Sequence, residues 1–204
     1  MNDGNPPAPP QEPDASASPL SGRRVLLAVT GGIAAYKAAS LASALVKAGT
    51  ELRVVMTESA QRFIGPTTFA SLSGRPVITS IWQTDDRPDA QHVAVARDAD
   101  LMVIAPATAN TLAKIAAGLC DDPVSLAASA LPAGTPLVIA PAMNADMWAN
   151  PINQRNLKTL REYLPGLSMV DPESGWQACR TEGRGRMAEP ETILLHVTER
   201  LSQA

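Results

Sequence analysis

Two stretches of this chain leave little choice of fold. "DADLMVIAP" (98–106) and "TPLVIAP" (135–141) are near-continuous apolar runs of strand length, without the polar alternation of a half-solvated sheet. Such strands must be covered on both faces, which is the condition of a parallel sheet between helical layers. The segments around them supply the helices. "RRVLLAVT" (23–30) is a β-rich run, and "GGIAAYKAASLASALVKAG" (31–49) has the Ala, Leu and Lys content of a helix ending at Gly49. "ELRVVMT" (51–57) is a second strand, and "ESAQRFIG" opens a second helical turn. "TTFASLSG" and "VITSIW" carry weaker signals, whereas "TLAKIAAGL" (111–119) and "NPINQRNLKTLREYL" (150–164) read as helices. Strand and helix in alternation predict a single α/β domain with an open, doubly wound parallel sheet. The chain has 204 residues, 45% of them hydrophobic, enough to bury one such core.

Residues 1–22, "MNDGNPPAPPQEPDASASPLSG", are Pro, Ala, Ser and acid without periodicity. Such a composition buries too little apolar surface to offset the entropy of ordering, so a disordered tail is expected, with the domain spanning 23–204. The tail has no basic region followed by an apolar stretch, so it does not read as a secretory signal. No apolar run reaches the roughly 18 residues of a membrane span. Two cysteines are too few for a disulfide scaffold and fit a reducing compartment, so a cytoplasmic protein is expected. A net charge of −3 with scattered basic residues argues against a nucleic-acid partner.

In doubly wound sheets the ligand lies beyond the carboxyl ends of the strands. Here those ends read "TGGIAAYK", "MTESA", "PATANT" and "PAMNADMW". Gly31 and Gly32 let backbone approach a ligand closely, and the helix after them presents free N–H groups and a positive dipole end suited to phosphate. Thr30, Thr57, Ser59, Thr108 and Thr111 could add hydroxyl donors, although at any one loop a helix cap explains a hydroxyl equally well. "TGGIAAYK" is neither G-x-G-x-x-G nor G-x-x-x-x-G-K-[ST], so a phosphate-bearing ligand other than NAD or ATP is favoured. Asn144, at a strand end, offers both donor and acceptors to a carboxylate or amide.

Taken together, "TGGIAAYK", "PATANT", "PAMNADMW" and "ACRTEGRGRM" resemble the flavin-dependent cysteine decarboxylases from about Arg23 to the C-terminal helix. The resemblance implies a flavodoxin- or Rossmann-like fold with a flexible substrate flap. It also implies FMN at the strand ends, with its phosphate near Gly31, Gly32, Thr57 and Ser59. Ile33, Thr108, Ala109, Asn110, Thr111 and Ala142 would complete the cofactor site; the family commonly has serine at Thr108, a change that keeps the hydroxyl. By the same resemblance Asn144 contacts the substrate carboxylate, while Met143, Met147 and Trp148 shape its loop and Arg186 adds a substrate contact. Packing is the competing explanation for Met147 and Trp148.

His92 lies ahead of the apolar strand where the resembled enzymes carry their active-site histidine, and imidazole titrates where an acid or base must work. His196, in "ETILLHVTERL", reads as structural. Cys120 follows a helix and reads as a small buried thiol. Cys179 lies among Gly175, Gly183 and Gly185, which make a flexible segment, and among Arg180, Arg184 and Arg186, whose charge would favour thiolate. The resemblance makes Cys179 the proton donor of a reductive step. The family usually shows Gly and Asp where this chain has Arg180 and Thr181, which puts the flap's substrate contacts in question.

A carboxylate on a saturated carbon needs an electron sink before it can leave, and flavin can create one. The implied sequence is oxidation of a cysteine moiety to a thioaldehyde, loss of carbon dioxide to an ene-thiolate, and return of the hydride with a proton from Cys179. The implied substrate is 4′-phosphopantothenoylcysteine and the product 4′-phosphopantetheine, in coenzyme A biosynthesis. A separate phosphopantothenate–cysteine ligase would act with it, since this chain is too short to contain that domain. Family members assemble with FMN between subunits, so a homo-oligomer is expected, a trimer or a larger set of trimers. The alternatives are a peptidyl-cysteine decarboxylase, a flavin prenyltransferase and a non-enzymatic flavin-binding regulatory subunit. Cys179 argues against the first, and the His92 and "PAMNADMW" features against the second. Retention of both His92 and Cys179 argues against the third.

Overall fold

A computed structural model of the chain describes residues 18–83 and 91–203, and the side chains of all of these except 91 and 92. Five parallel strands form one sheet: β1 (Arg24–Val29), β2 (Glu51–Met56), β3 (Leu101–Ala107), β4 (Leu137–Pro141) and β5 (Leu167–Met169). Their order is β2-β1-β3-β4-β5. Leu27 stands opposite Val54 and Val103, and Val103 opposite Val138; the β3–β4 register shifts between Ile104 and Ala107. The apolar runs occupy the middle of this sheet, where every residue of β3 and β4 is buried.

Because successive residues of a strand face opposite ways, each of β1 to β4 feeds two cores. Val25, Leu27 and Val29 join Val54 and Val103 on one face, under α1 (Ala35–Lys47), α2 (Pro66–Ser73) and α8 (Pro190–Ser202). Leu26, Ala28 and Ile104 join the other face, under α3 (Gln91–Asp98), α4 (Ala109–Ala116), α5 (Pro123–Ser129) and α7 (Pro151–Tyr163). The doubly wound α/β fold is therefore the one expected. A short helix, α6 (Ala145–Ala149), follows β4. A separate antiparallel hairpin, β6 (Glu173–Trp176) and β7 (Glu182–Arg186), precedes α8.

Helix starts follow local chemistry. Asp122 caps α5 in a capping box with Ser125, accepting from the N–H of Val124 and of Ser125 at 3.0 and 2.9 Å. Pro66, Pro123, Pro151 and Pro190 each stand in a first turn, where no N–H partner is lost. Of the weaker segments, "TTFASLSG" lies in α2, "ESAQRFIG" holds a 3₁₀ turn at Ala60–Arg62, and "VITSIW" contributes one bridge, Ile78 to Val55.

The expected tail boundary near residue 22 moves toward the N-terminus. Leu20, 1% exposed, is part of the first core, and the Gly22 N–H donates to the Gly49 carbonyl at 2.9 Å. This apolar residue, four places before the first strand, joins the core that α1 and α8 cover, because that face would otherwise expose its edge. Residues 1–17, which make up the rest of the expected tail, lie outside the described residues. Among the described residues no helix is long and apolar enough to cross a membrane.

Candidate active site

The strand order reverses between β1 and β3, since the chain leaves β1 toward β2 and continues from β3 toward β5. Loops diverge at such a switch point and leave a crevice at the carboxyl ends of the strands. A cavity of about 550 Å³ lies there, within the size range of small-molecule sites. All four expected loops reach it. Gly31, Gly32 and Ile33 come from the first, Ser59 from the second, Thr108, Ala109 and Asn110 from the third, and Ala142, Met143 and Asn144 from the fourth.

Hydroxyls tie the loops together. Thr30 donates to the Pro106 carbonyl at 2.6 Å and accepts from the Thr108 N–H at 3.2 Å. Thr108 in turn donates to Thr111 Oγ1 at 3.2 Å. Thr57 lies 3.2 Å from the Ser59 hydroxyl and accepts from the Ala60 N–H. Thr57 and Thr111 are both buried and do not line the cavity. They stand one layer behind Ser59 and Thr108, because a hydroxyl in the first turn of a helix bonds most easily to its neighbour's backbone or hydroxyl. Gly31 has a direct steric reason: a Cβ there would overlap the Ser59 side chain.

Asn144 caps α6, accepting from the Met147 N–H at 2.8 Å. Only Oδ1 can accept, so the amide NH₂ remains for a ligand. Met147 reaches the cavity and is exposed, whereas Trp148 packs into the second core with Arg184 5.5 Å from its ring centroid. Packing is thus the role of Trp148 and not of Met147.

The β6–β7 hairpin also lines the cavity, bringing Trp176, Gln177, Ala178, Cys179, Gly185 and Arg186 to it. Its glycines serve close approach. A Cβ on Gly183 would come within 2.6 Å of the Ala145 Cβ, and one on Gly185 would run into the Met143 carbonyl. The Met143 N–H donates to the Gly185 carbonyl at 2.9 Å, so the hairpin and the Asn144 loop are joined.

Cys179 is exposed at the hairpin turn, its Sγ 2.9 Å from the Thr181 hydroxyl. Arg180 adopts φ +64°, the left-handed conformation that favours glycine, which is the residue the resembled family shows there. Of the arginines expected around the thiol, Arg184 pairs with Asp171 at 3.3 Å, and Arg186, which lines the same cavity as Cys179, pairs with Glu189. Cys120 is half-buried beside a separate apolar recess, rather than fully buried. His196 bonds to the Ser168 hydroxyl at 3.0 Å, in keeping with a structural role. His92 occupies the second position of α3; its side chain lies outside the described residues.

Sequence reasoning missed a charged group at the cavity edge. Lys37 of α1 is 8% exposed, and its Nζ donates to Glu189 Oε1 at 2.8 Å and to the Met187 carbonyl at 3.3 Å. The Lys37 hydrogen bond, with Arg186 adding to it, holds the Glu189 carboxyl below the usual carboxylate range. The signal was a lysine four residues before Leu41 on the apolar face of α1, a position that demands a partner. Gln177 was also missed, since nothing in a polar, glycine-rich stretch distinguishes a buried amide from a solvated one.

The geometry meets independent comparisons here. Residues 14–202 match the Flavoprotein family. A probable phosphopantothenoylcysteine decarboxylase of Streptococcus mutans is 43% identical over 179 residues, covering 88% of this chain and 99% of the relative. The coenzyme A biosynthesis bifunctional protein CoaBC of Bacillus subtilis is 45% identical over 86% of this chain, which spans only 42% of that relative's length. Among solved structures, a PPC decarboxylase mutant complexed with pantothenoylaminoethenethiol superposes with TM-score 0.75 at 36% identity, covering 89% of this chain and 98% of the other. The FMN-dependent cysteine decarboxylase SpaF matches with TM-score 0.75 at 33% identity, covering 90% and 98%.

Proposed function

The chain belongs to the Flavoprotein family, and from that premise we propose that it is an FMN-dependent decarboxylase converting 4′-phosphopantothenoylcysteine to 4′-phosphopantetheine in coenzyme A biosynthesis. The observation that carries this reading is the shared cavity: Asn144 and Cys179 both line it, together with four strand-end loops suited to a flavin.

The residues present fit that cofactor. Gly31 and Gly32 give a backbone cradle that a side chain at Gly31 would fill, ahead of the α1 N-terminus, and the Ser59 hydroxyl lies beside it. Ala109, Asn110 and Ala142 give a small-residue wall for a ring. A bound FMN supplies the two-electron oxidation and its reversal that this net redox-neutral decarboxylation requires.

The protein's own groups bind the substrate and handle protons. The free NH₂ of Asn144 holds the departing carboxylate, with its carbonyl pinned by the α6 cap so that the amide cannot turn away. Met143 and Met147 exclude water beside it. Arg186 adds a cation in the same cavity. Cys179 holds the proton that the substrate carbon takes in the last step and regains one from solvent. His92 serves the earlier proton transfer, from the N-terminal turn of α3. Ile33 and Tyr36, each 60% exposed among the residues lining the cavity, are the surface that a homotrimer or larger assembly would cover. A phosphopantothenate–cysteine ligase activity supplies the substrate.

The test is incubation of the FMN-loaded protein with 4′-phosphopantothenoylcysteine, following carbon dioxide and phosphopantetheine by mass spectrometry. Both products are expected in equal amounts. Carbon dioxide with only the ene-thiol would reassign the chain to decarboxylation without reduction, and no turnover with bound flavin would leave a flavin-binding protein without this activity.

A further inference from the structure

Between Trp176 and Glu182 one residue is buried, and it is polar: Gln177, at 8% exposure. Each part of it is engaged. Its N–H donates to the Thr181 carbonyl at 2.9 Å, and its own carbonyl accepts from the Arg180 N–H at 2.9 Å, closing the turn that carries Cys179. Its Oε1 accepts from the Ala145 N–H at 3.0 Å and lies 3.7 Å from the Cys179 sulfur. Its Nε2 reaches the Gly183 carbonyl at 3.4 Å, on the opposite strand.

A buried amide is costly unless its hydrogen bonds are made, and an apolar side chain of similar size would fill the space more cheaply. The amide is useful here because Ala145 is the first residue of α6, adjacent to Asn144, and its N–H has no partner within the helix. One side chain therefore joins three things: the thiol's turn, the far strand of the hairpin, and the loop that presents Asn144. Gly183 and Gly185 permit the approach, and Gln177 sets its register.

Resting on the function proposed above, we propose that Gln177 is a positioning residue: its amide seats the Cys179 turn on the Ala145 end of the Asn144 loop, so that proton donor and carboxylate-binding amide face one reaction space. It touches neither carboxylate nor cofactor in this role. Losing it should spare the steps that precede the thiol's and slow the one that needs it. A misplacement of about 1 Å can cost on the order of 10²-fold in rate.

The experiment compares Gln177→Leu with Gln177→Glu, which keeps the oxygen that accepts from Ala145. In single turnover with FMN bound, Gln177→Leu is expected to release carbon dioxide near the parent rate, accumulate ene-thiol, and form phosphopantetheine on the order of 10²-fold more slowly. Gln177→Glu should reduce the ene-thiol faster than Gln177→Leu. Equal slowing in both variants, parental reduction in Gln177→Leu, or carbon dioxide release falling in step with reduction would overturn the assignment. A second readout needs no substrate. Alkylation of Cys179 by iodoacetamide, referred to Cys120 in the same chain, should change severalfold in Gln177→Leu and little in Gln177→Glu; an unchanged ratio in Gln177→Leu also overturns it. If the parent fails to turn over but the ratio shifts, the reaction assignment fails while the seating stands. Should Gln177→Leu not fold, Gln177→Ser carries the same comparison.

Discussion

At the scale of single residues, Cys179 and His92 are expected to separate the two halves of the reaction. Cys179→Ser keeps most of the side-chain volume but offers a far weaker acid. It should therefore release carbon dioxide and stop at the ene-thiol, checked by single-turnover mass balance; full conversion at the parent rate would remove the thiol from the mechanism. His92→Asn should retain flavin and fold while decarboxylation falls by roughly 10²–10⁴-fold, the usual contribution of a general acid or base. Gly31 makes a steric prediction instead. A methyl group there meets the Ser59 side chain and comes within 2.9 Å of its carbonyl carbon, so Gly31→Ala must displace the second loop. The expected result is loss of bound flavin, measured by absorbance per chain, with a stability cost of about 1–3 kcal/mol typical of overpacking.

At the scale of elements, the Lys37–Glu189 pair joins α1 to the start of α8 across the edge of the cavity. Glu189→Gln takes away the opposite charge and leaves the almost fully buried ammonium with neutral acceptors, the amide oxygen and the Met187 carbonyl. The loss should be about 1 kcal/mol at neutral pH rather than the several of a fully buried pair, because Glu189 is 40% exposed and solvent screens it. The sign of the pH dependence follows from the depressed Glu189 carboxyl, whose hydrogen bond from Lys37 is the main cause. A folded-state value below the unfolded one means the stabilisation is complete above the ordinary glutamate range and fades as pH falls through the folded value. Urea unfolding of parent and variant should therefore differ at neutral pH and converge in acid. A difference that persisted in acid would mean the pair acts through packing.

At the scale of the whole molecule, the hairpin and the strand-end loops line the cavity, and among its lining residues Ile33, Tyr36 and Trp176 stand exposed. Clustered exposed apolar side chains at a ligand site mark a surface that something covers. Purified protein should run by light scattering at three or more times its 21.4 kDa chain mass and carry a yellow, extractable FMN. Tyr36→Arg should lower both the mass and the flavin content while leaving the monomer's fold, since Tyr36 contributes little to either core. A parent that is monomeric and colourless, even after FMN is added, would refute this arrangement.

The doubly wound sheet was legible because buried parallel strands have no polar alternation: "LMVIA" and "LVIA" can be covered in only one way, and the β3 and β4 cores agree. Loop chemistry was legible for the same local reason. Glycines and hydroxyls at strand ends keep their meaning whatever surrounds them, and Gly31, Ser59, Thr108 and Asn144 all reach the cavity. Depth was not legible. Thr57 and Thr111 look like Ser59 and Thr108 in a sequence, yet only the packing of neighbouring loops turns them inward. Charge pairing was not legible either. Arg184 and Arg186 stand within seven residues of Cys179, but each pairs with a carboxylate, Asp171 or Glu189, and Lys37 finds Glu189 across 152 positions. Periodicity and residue type act over a few neighbours, so the sequence alone determined the elements and the kind of ligand edge they make. Which polar groups face that edge depends on contacts between distant segments, and only the tertiary structure decided it.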